Sequence, residues 1–564
     1  MRLLAKPAGM IASAVSGRIR AICTSPSLLP NILLVLFSYL VIASAWSQED
    51  AYITLRTVDN FLHGFGLRWN PAERVQSYTH PLWMMALCLG VAIVRDPFIA
   101  TILCSFVSVG VLLIIICRHF RTQQLALILA LLIASKAFMD YTTGGLENPL
   151  SYLLLAAYCV EFFRFSDTGE RKAAHFARLI VLVALLFVTR QDLAVLVGPS
   201  IFWVFITYCR QEGLPKTLAV TAIASLPAIA WCVFSFIYYG FLVPNTAFAK
   251  LSHGITSIAL IKQGVKYLLN SLRLDPITLP ISLIACVVCL RRGRWSDLPL
   301  ALGSVAYVAY VVIIGGDFMS GRFLSCPYLI STLCIVRSFD ASSPVAVRVL
   351  RFSLLALLVY CVGMPLSSIR KIGAYQMDAE TVDDGITDKR GNDSERMSMT
   401  MYIRHMAGAV KFPNSPWYEE GLSFRQSDER VVVRDTIGLF GYAAGPTKLI
   451  VDPLGLSDPL LSHLPMACPD REWRPGHIRR EIPSGYLETL RGGRNVLDDP
   501  DLREFYDKVV VITRERIWSA HRLKTIFQIN SGKFDHLIEG YSKRSDTKRC
   551  RGDAVASLFQ GQQP

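Results

Sequence analysis

The sequence is short of charge. Asp, Glu, Lys and Arg make up 18% of its 564 residues and 52% are hydrophobic, where a soluble enzyme would carry about 25% charged residues. That scarcity argues against an ordinary water-soluble enzyme, and the mean hydropathy of +0.38 agrees. Metal-ligand spacing is lacking too. There is no HExxH and no paired CxxC, and the lone Cys286-Val-Val-Cys289 sits inside an apolar run. No internal repeat is present. Cysteine is scarce after residue 366: Cys468 and Cys550 are the only two there, and a bridge between them needs an oxidising compartment. The remaining cysteines are scattered through apolar runs, where they act as small hydrophobes. Long apolar runs are themselves missing from 367 to 564.

What is present lies earlier. Residues 30–366 hold runs such as Asn31–Trp46, Pro97–Cys117 and Leu298–Ile314. Two domains are predicted, a membrane domain over 1–366 and a water-facing domain over 367–564. The net charge of +14 raises a nucleic-acid partner as a possibility. It is set aside because the cations fall in short loops between apolar runs, the pattern of cytoplasmic membrane loops. Arg2, Lys6, Arg18 and Arg20 precede the first run, and no small-residue cleavage site follows it. An uncleaved anchor is expected.

Charge orients the chain. Loops 118–124 (Arg118, Arg121), 164–178 (Arg164, Arg171, Lys172, Arg178), 210–216 (Arg210, Lys216), 291–294 (Arg291, Arg292, Arg294) and 337–351 (Arg337, Arg348, Arg351) should be cytoplasmic. The loops at Tyr141–Asn148, Thr189–Asp192, Phe241–Asp275 and Gly315–Arg322 are poorer in cations and should face outward. Pro81–Val94 breaks the alternation if it spans, because loop 118–124 would then be outside. With 14 residues it is short for a span of about 20, so it reads as a re-entrant or interfacial helix. About eleven transmembrane helices remain, with the N-terminus inside and the C-terminus outside.

The outer segment 47–96 opens with an apolar stripe of Leu55, Val58, Leu62 and Phe65, with Arg56, Asp59, Asn60 and His63 on the other side. This spacing predicts an amphipathic helix along the membrane surface, ended by Gly64 and Gly66. The C-terminal part has short β-rich runs at Val431–Val433, Leu449–Val451 and Val509–Ile512. It reads as a soluble α/β or α+β domain, with a polar, flexible tail after Lys543.

Ionisable residues at a membrane boundary call for a reason. Glu49 and Asp50 end the first span. Glu147 lies in Gly144-Gly145-Leu146-Glu147-Asn148-Pro149, Arg190 and Asp192 in Thr189-Arg190-Gln191-Asp192, and Lys250 follows Pro244-Asn245-Thr246. Asp317 and Arg322 sit in Gly315-Gly316-Asp317-Phe318-Met319-Ser320-Gly321-Arg322, and His63 and His80 in the first outer segment. Each alone fits a solvated helix end, a helix cap or a surface histidine. Together, five outer segments on one side predict a polar site at the membrane–water boundary.

These residues carry a resemblance. An acidic pair after the first span, followed by a surface helix, resembles the GT-C fold of polyprenyl-phosphate-dependent glycosyltransferases. Asp50-Ala-Tyr-Ile-Thr-Leu-Arg56, Gly66-Leu-Arg-Trp-Asn-Pro71, Tyr78-Thr79-His80-Pro81, Gly145-Leu-Glu147, Pro244-Asn245-Thr246 and the Gly315–Arg322 loop resemble the mycobacterial terminal β-(1→2)-arabinofuranosyltransferase family. In the C-terminal part Asp435-Thr-Ile-Gly438, Val451-Asp452, Gly455-Leu456-Ser-Asp458-Pro459 and Gly476-His477 are similar as well. Glu49-Asp50 departs from the Asp-Asp or Asp-Glu of many GT-C enzymes, which leaves open which carboxylate reacts.

The resemblance implies an enzyme of the inner membrane that moves a sugar, D-arabinofuranose, from a polyprenyl-phosphate donor to an envelope glycan, glycolipid or glycoprotein on the outer face. It implies Asp50, Glu49 and His80 as catalytic candidates. Arg190, Lys250 and Arg322 are the donor-phosphate ligands, and Glu147, Asn245 and Asp317 further site residues. No cofactor and no metal are expected. Asp50 would act as base, or as nucleophile if configuration is retained, as the family's β-to-β chemistry favours. A lipid-linked sugar flippase is the rival reading, as is a GT-C transferase for another sugar or a protein acceptor. A flippase would place its ionisable residues nearer the bilayer midplane.

Overall fold

The computed structural model describes residues 28–167, 173–251, 254–339, 344–376, 384–467 and 473–546. Cys468, Cys550, Arg171, Lys172 and the basic residues before 28 lie outside these, so the expectations resting on them do too.

The fold is mostly helical. Two helices, Pro97–His119 and Leu193–Glu212, are long and apolar enough to cross a membrane by themselves. Two further pairs qualify only together, Leu214–Ala224 with Leu226–Tyr238, bent by 57°, and Ser257–Leu274 with Thr278–Arg291, bent by 99°. Leu28–Ala43, Pro81–Val94, Thr122–Ala134, Ala173–Thr189 and Leu298–Ile313 are apolar but shorter. The 16 residues of Leu28–Ala43 make a helix of about 24 Å, against a hydrocarbon layer of about 30 Å. The helix ends follow local chemistry. Pro97 occupies the first turn of its helix and Asp96 accepts the Ile99 N–H at 2.9 Å. One apolar core runs through these helices, from Phe37 through Leu132 and Leu155 to Leu196 and Tyr307.

The helix predicted after the first span is Ala51–Leu62, ended by Gly64 and Gly66 at positive φ. Its surroundings differ from expectation. Arg56 and Asn60, placed on the solvent side by periodicity, are buried, while Leu62 is 39% and Phe65 43% exposed. Arg56 donates to the carbonyls of Trp69 at 2.8 Å, Lys448 at 2.9 Å and Gly441. The helix is enclosed by the C-terminal part, whose backbone supplies acceptors that the periodicity of this helix alone cannot reveal.

Residues 384–546 have their own core of Val451, Leu461, Leu502, Phe505, Ile512 and Ile526. Val431–Val433 and Leu449–Val451 pair as a two-stranded parallel sheet with Val432 opposite Ile450. Val509–Ile512 is not a strand; it lies in helix Pro500–Arg514, capped by Asp499, with Leu502, Phe505, Val509 and Ile512 facing inward. The helix Asp535–Asp546 takes in Arg544, Ser545 and Asp546, the first residues of the expected flexible tail, and the rest of that tail lies outside the described residues. This part interlocks with earlier segments of the chain: Trp46 bridges Ser398, Met319 bridges Thr387, and the Arg74 N–H donates to the Thr513 carbonyl at 3.0 Å.

Candidate active site

A cavity of about 660 Å³ lies where the segment 47–96, the Gly315–Arg322 loop and the C-terminal part meet. Its lining includes Glu49, Asp50, Thr54, His80, Lys250, Asp317 and Arg322 from before residue 367. Lys389, Asp435, Arg474 and His477 come from after it. Two glycines permit this convergence. A Cβ on Gly145, at φ +82°, would stand 2.7 Å from the Ala51 Cβ; the missing side chain seats the Glu147 loop against the Asp50 helix. A Cβ on Gly316, at φ +73°, would stand 2.6 Å from the Tyr267 Cβ, so glycine seats the Asp317 loop in the same way.

The acidic pair divides its work. Glu49 is buried, and one carboxylate oxygen accepts the N–H groups of Gly438 and, at 3.1 Å, Leu439, at the start of helix Gly438–Ala444. Asp50 begins helix Ala51–Leu62 but makes no side-chain cap there, so the helix-cap alternative does not account for it. The two carboxyls are neighbours at the cavity wall. Burial and the adjacent Asp50 charge push Glu49 well above the usual carboxylate range. For Asp50, burial works in the same direction but is outweighed by the Lys389 ammonium, which holds it below its ordinary value. The asymmetry favours the proton on Glu49 and the charge on Asp50. Lys389 is itself held by Asp393 at 2.9 Å.

Glu147 organises the cations. Arg322 approaches it at 2.9 Å, Arg190 at 3.6 Å and the His80 Nδ1 at 3.0 Å. Burial opposes its charge, and Arg322, His80 and Arg190 override that, leaving it well below the ordinary range. The His80 Nε2 bonds the Thr54 hydroxyl at 2.9 Å. Arg190 also engages Asp192 and the Tyr307 hydroxyl, and Arg322 lies 3.6 Å from Asp317. Two of the three phosphate candidates are thus already ion-paired, while Lys250 is exposed at the cavity. A second chamber of about 310 Å³, lined by Glu147, Arg190, Asp192, Tyr310 and Ile314, shares Lys250, Asp317 and Arg322 with the first. Asn245 lines neither chamber. Its amide donates to the Gly455 carbonyl at 2.8 Å and to that of Asp458 at 3.0 Å, bracing the C-terminal part. His63 is exposed beside Asp59, outside the lining.

Sequence reasoning did not single out Lys389, Asp393, Arg474 or His477 as site residues. His477 stands in the turn Arg474–His477, with Gly476 at φ +78°. Its ring meets Phe318 edge-on at 4.4 Å. Burial and the nearby Arg474 push it down to about 4, so it is neutral at physiological pH. The quoted Gly476-His477 pair was its signal; Lys389 had none. Among the described residues, no group of three or more His, Cys, Asp or Glu is placed to hold a metal ion.

Comparison with known proteins bears out the family resemblance. The chain is similar to a terminal β-(1→2)-arabinofuranosyltransferase of Mycobacterium tuberculosis, 28% identical over 335 residues, covering 52% of this chain and 52% of that protein. It is also similar to the Corynebacterium glutamicum protein of the same name, 26% identical over 325 residues, covering 50% of this chain and 46% of the relative. The chain spans about half the length of these curated relatives. No family model and no solved structure matches it.

Proposed function

We propose that the protein is a membrane glycosyltransferase that moves D-arabinofuranose from a polyprenyl-phosphate donor to an envelope glycan or glycoconjugate. The observation that carries the reading is a polar cavity that Asp50 lines beside Lys389 and His477, and that meets a second chamber at Lys250 and Arg322. The relatives' name supplies the sugar.

The arrangement suits a donor with three unlike parts. An apolar groove of about 800 Å³ runs along helices Ala173–Thr189 and Leu226–Tyr238. Phe187 and Leu242 line the groove, and Arg190 and Pro244, a few residues on, line the second chamber. The polyprenyl tail would lie in the groove, the phosphate at Lys250 and Arg322, and the sugar in the cavity beside Asp50. In the transfer the bond from the anomeric carbon to the phosphate oxygen breaks, and polyprenyl phosphate leaves with the electron pair. Cations stabilise that leaving group without a general acid. Asp50 then has two routes. It attacks the anomeric carbon and is displaced by the acceptor hydroxyl, with retention, or it takes the hydroxyl proton directly, with inversion. The relatives' β-linked product, made in the resembled family from a β-linked donor, favours retention. Neutral His477 is available to take the acceptor proton in the second step.

In this reading about eleven helices of residues 1–366 span the inner membrane, and residues 367–564 lie outside the cytoplasm, as the loop charges require. The acceptor approaches from that side, past Trp417 and Asp435 at the cavity. The test is incubation of purified protein with radiolabelled polyprenyl-phospho-arabinose and an arabinan acceptor. Release of polyprenyl phosphate together with a labelled acceptor is expected. Transbilayer movement of intact donor, with no release, would replace the reading with a flippase.

A further inference from the structure

Two groups of strongly exposed large apolar side chains in the C-terminal part each adjoin the end of an apolar helix. The first surrounds the end of Leu226–Tyr238. Trp518 is 73% and Phe527 65% exposed. Phe527 stacks edge-on against Phe236 at 5.4 Å, and Phe236 in turn lines the apolar groove. The attachment is rigid: buried Arg522 donates to the carbonyls of Ile237 at 2.7 Å and Tyr238 at 2.8 Å, and Asn530 to that of Gly240 at 2.8 Å. The apolar exposure is continuous with the helix below, where Ile229 is 46% and Val233 52% exposed.

The second place adjoins the start of Pro97–His119. Ile403 is 61% and Met406 70% exposed on helix Met399–Met406. That helix is fixed by Tyr402, which stacks on Phe98 at 5.3 Å and donates to Asp96 at 2.8 Å. Both helix ends belong to the outer face under the charge-based topology. Exposed cations flank each patch, Lys524 and Arg516 at the first and Arg404 at the second.

We infer that these two patches are the seats on which the C-terminal part rests in the headgroup layer of the outer leaflet, with anionic phospholipid as partner. An aromatic or thioether side chain beside a cation matches that layer, where the apolar body enters the acyl boundary and the charge meets phosphate. Trp518, Phe527, Ile403 and Met406 are the most exposed large apolar side chains of the C-terminal part, and a water-facing surface gives no reason for them to adjoin the ends of apolar helices. Seating at both sides fixes the height of the cavity above the bilayer, so a donor phosphate held at headgroup level meets Lys250 and Arg322. The inference rests on the membrane reading proposed above.

The test places a genetically encoded fluorescent amino acid at 527, 403 or 233 of the full-length protein in liposomes containing phosphatidylglycerol. Quenching is compared between nitroxide on the lipid headgroup and nitroxide deep in the acyl chain. At 527 and 403 the headgroup nitroxide should remove more of the fluorescence, and at 233 the chain nitroxide should. If 233 behaves so while 527 and 403 are quenched by neither, the seats are lost and the membrane reading stands. If 233 also escapes the chain nitroxide, both fall.

Discussion

Glu49 and Asp50 are neighbouring carboxyls at one cavity, yet only Glu49 is committed to the backbone, through the N–H groups of Gly438 and Leu439. Asp50 keeps its charge for the cavity. Asp50→Asn retains the volume, so it should fold and bind donor while turnover falls by about 10²–10⁴-fold. Glu49→Gln keeps an acceptor for both N–H groups and should cost far less. Glu49→Ala leaves them bare and should cost about 1–2 kcal/mol of stability, the scale of a lost helix cap. Transfer assays at saturating donor, paired with thermal unfolding, check this. Wild-type turnover in Asp50→Asn with loss in Glu49→Gln would hand the role to Glu49.

The phosphate candidates should separate. Lys250 is exposed at the junction of the two chambers, so Lys250→Ala should weaken donor binding by roughly 10- to 30-fold, or about 1.4–2 kcal/mol, with little change in stability. Arg322 neutralises Glu147, and Arg322→Ala leaves that buried carboxylate short of a partner. Its loss should lower both affinity and the unfolding midpoint. Donor titration beside thermal unfolding distinguishes them. Equal loss of stability in both variants would make Lys250 structural as well.

Arg56 ties helix Ala51–Leu62 to the C-terminal part by its bonds to Trp69, Gly441 and Lys448. Burial pushes it down to about 9, still charged at physiological pH. Arg56→Met keeps most of the bulk but orphans buried carbonyls, at a cost of about 2–4 kcal/mol. Arg56→Lys should recover a part, since one ammonium cannot reproduce the planar fork. Accelerated proteolysis between 430 and 450 in Arg56→Met, reduced in Arg56→Lys, is the expected readout.

Much of the site was legible because the ends of apolar runs announce themselves: Asp50, Glu147, Asp317 and Arg322 each follow or precede one. Their convergence was legible only as an argument from topology. Lys389 was not legible, since it lies in a stretch without periodicity, more than three hundred residues from the Asp50 it faces. Arg56 was misplaced because periodicity assigns one buried face per helix, and this helix has cover on both. Asn245 was chosen for its motif and is a brace. The helix count was the least legible feature. Bends within Leu214–Tyr238 and Ser257–Arg291 split apolar runs that read as continuous or as loop.

Asp458 should make stability depend on pH. It is buried, and burial together with the nearby Glu73 charge pushes it up to about 7. Its carboxyl accepts the N–H groups of Leu460 at 3.0 Å and Leu461 at 2.8 Å, and lies 3.1 Å from the Tyr486 hydroxyl. In the unfolded chain it titrates near 3.9. Below about pH 4 both states are protonated and the group contributes nothing. Between about pH 4 and 7 the unfolded chain is ionised while the folded protein keeps its proton. Folding then takes up a proton, and stability falls as pH rises. Above about pH 7 the penalty is complete and the dependence levels off. Asp458→Asn mimics the protonated acid, keeps the oxygen that accepts from Leu460 and Leu461, and offers a donor to Tyr486. The variant should therefore unfold several degrees higher than wild type at pH 8, with the difference shrinking toward pH 5. Thermal unfolding in detergent at both pH values measures this. A difference that stays constant across the range would mean that Asp458 is ionised in the folded protein, with its charge carried by the backbone donors alone.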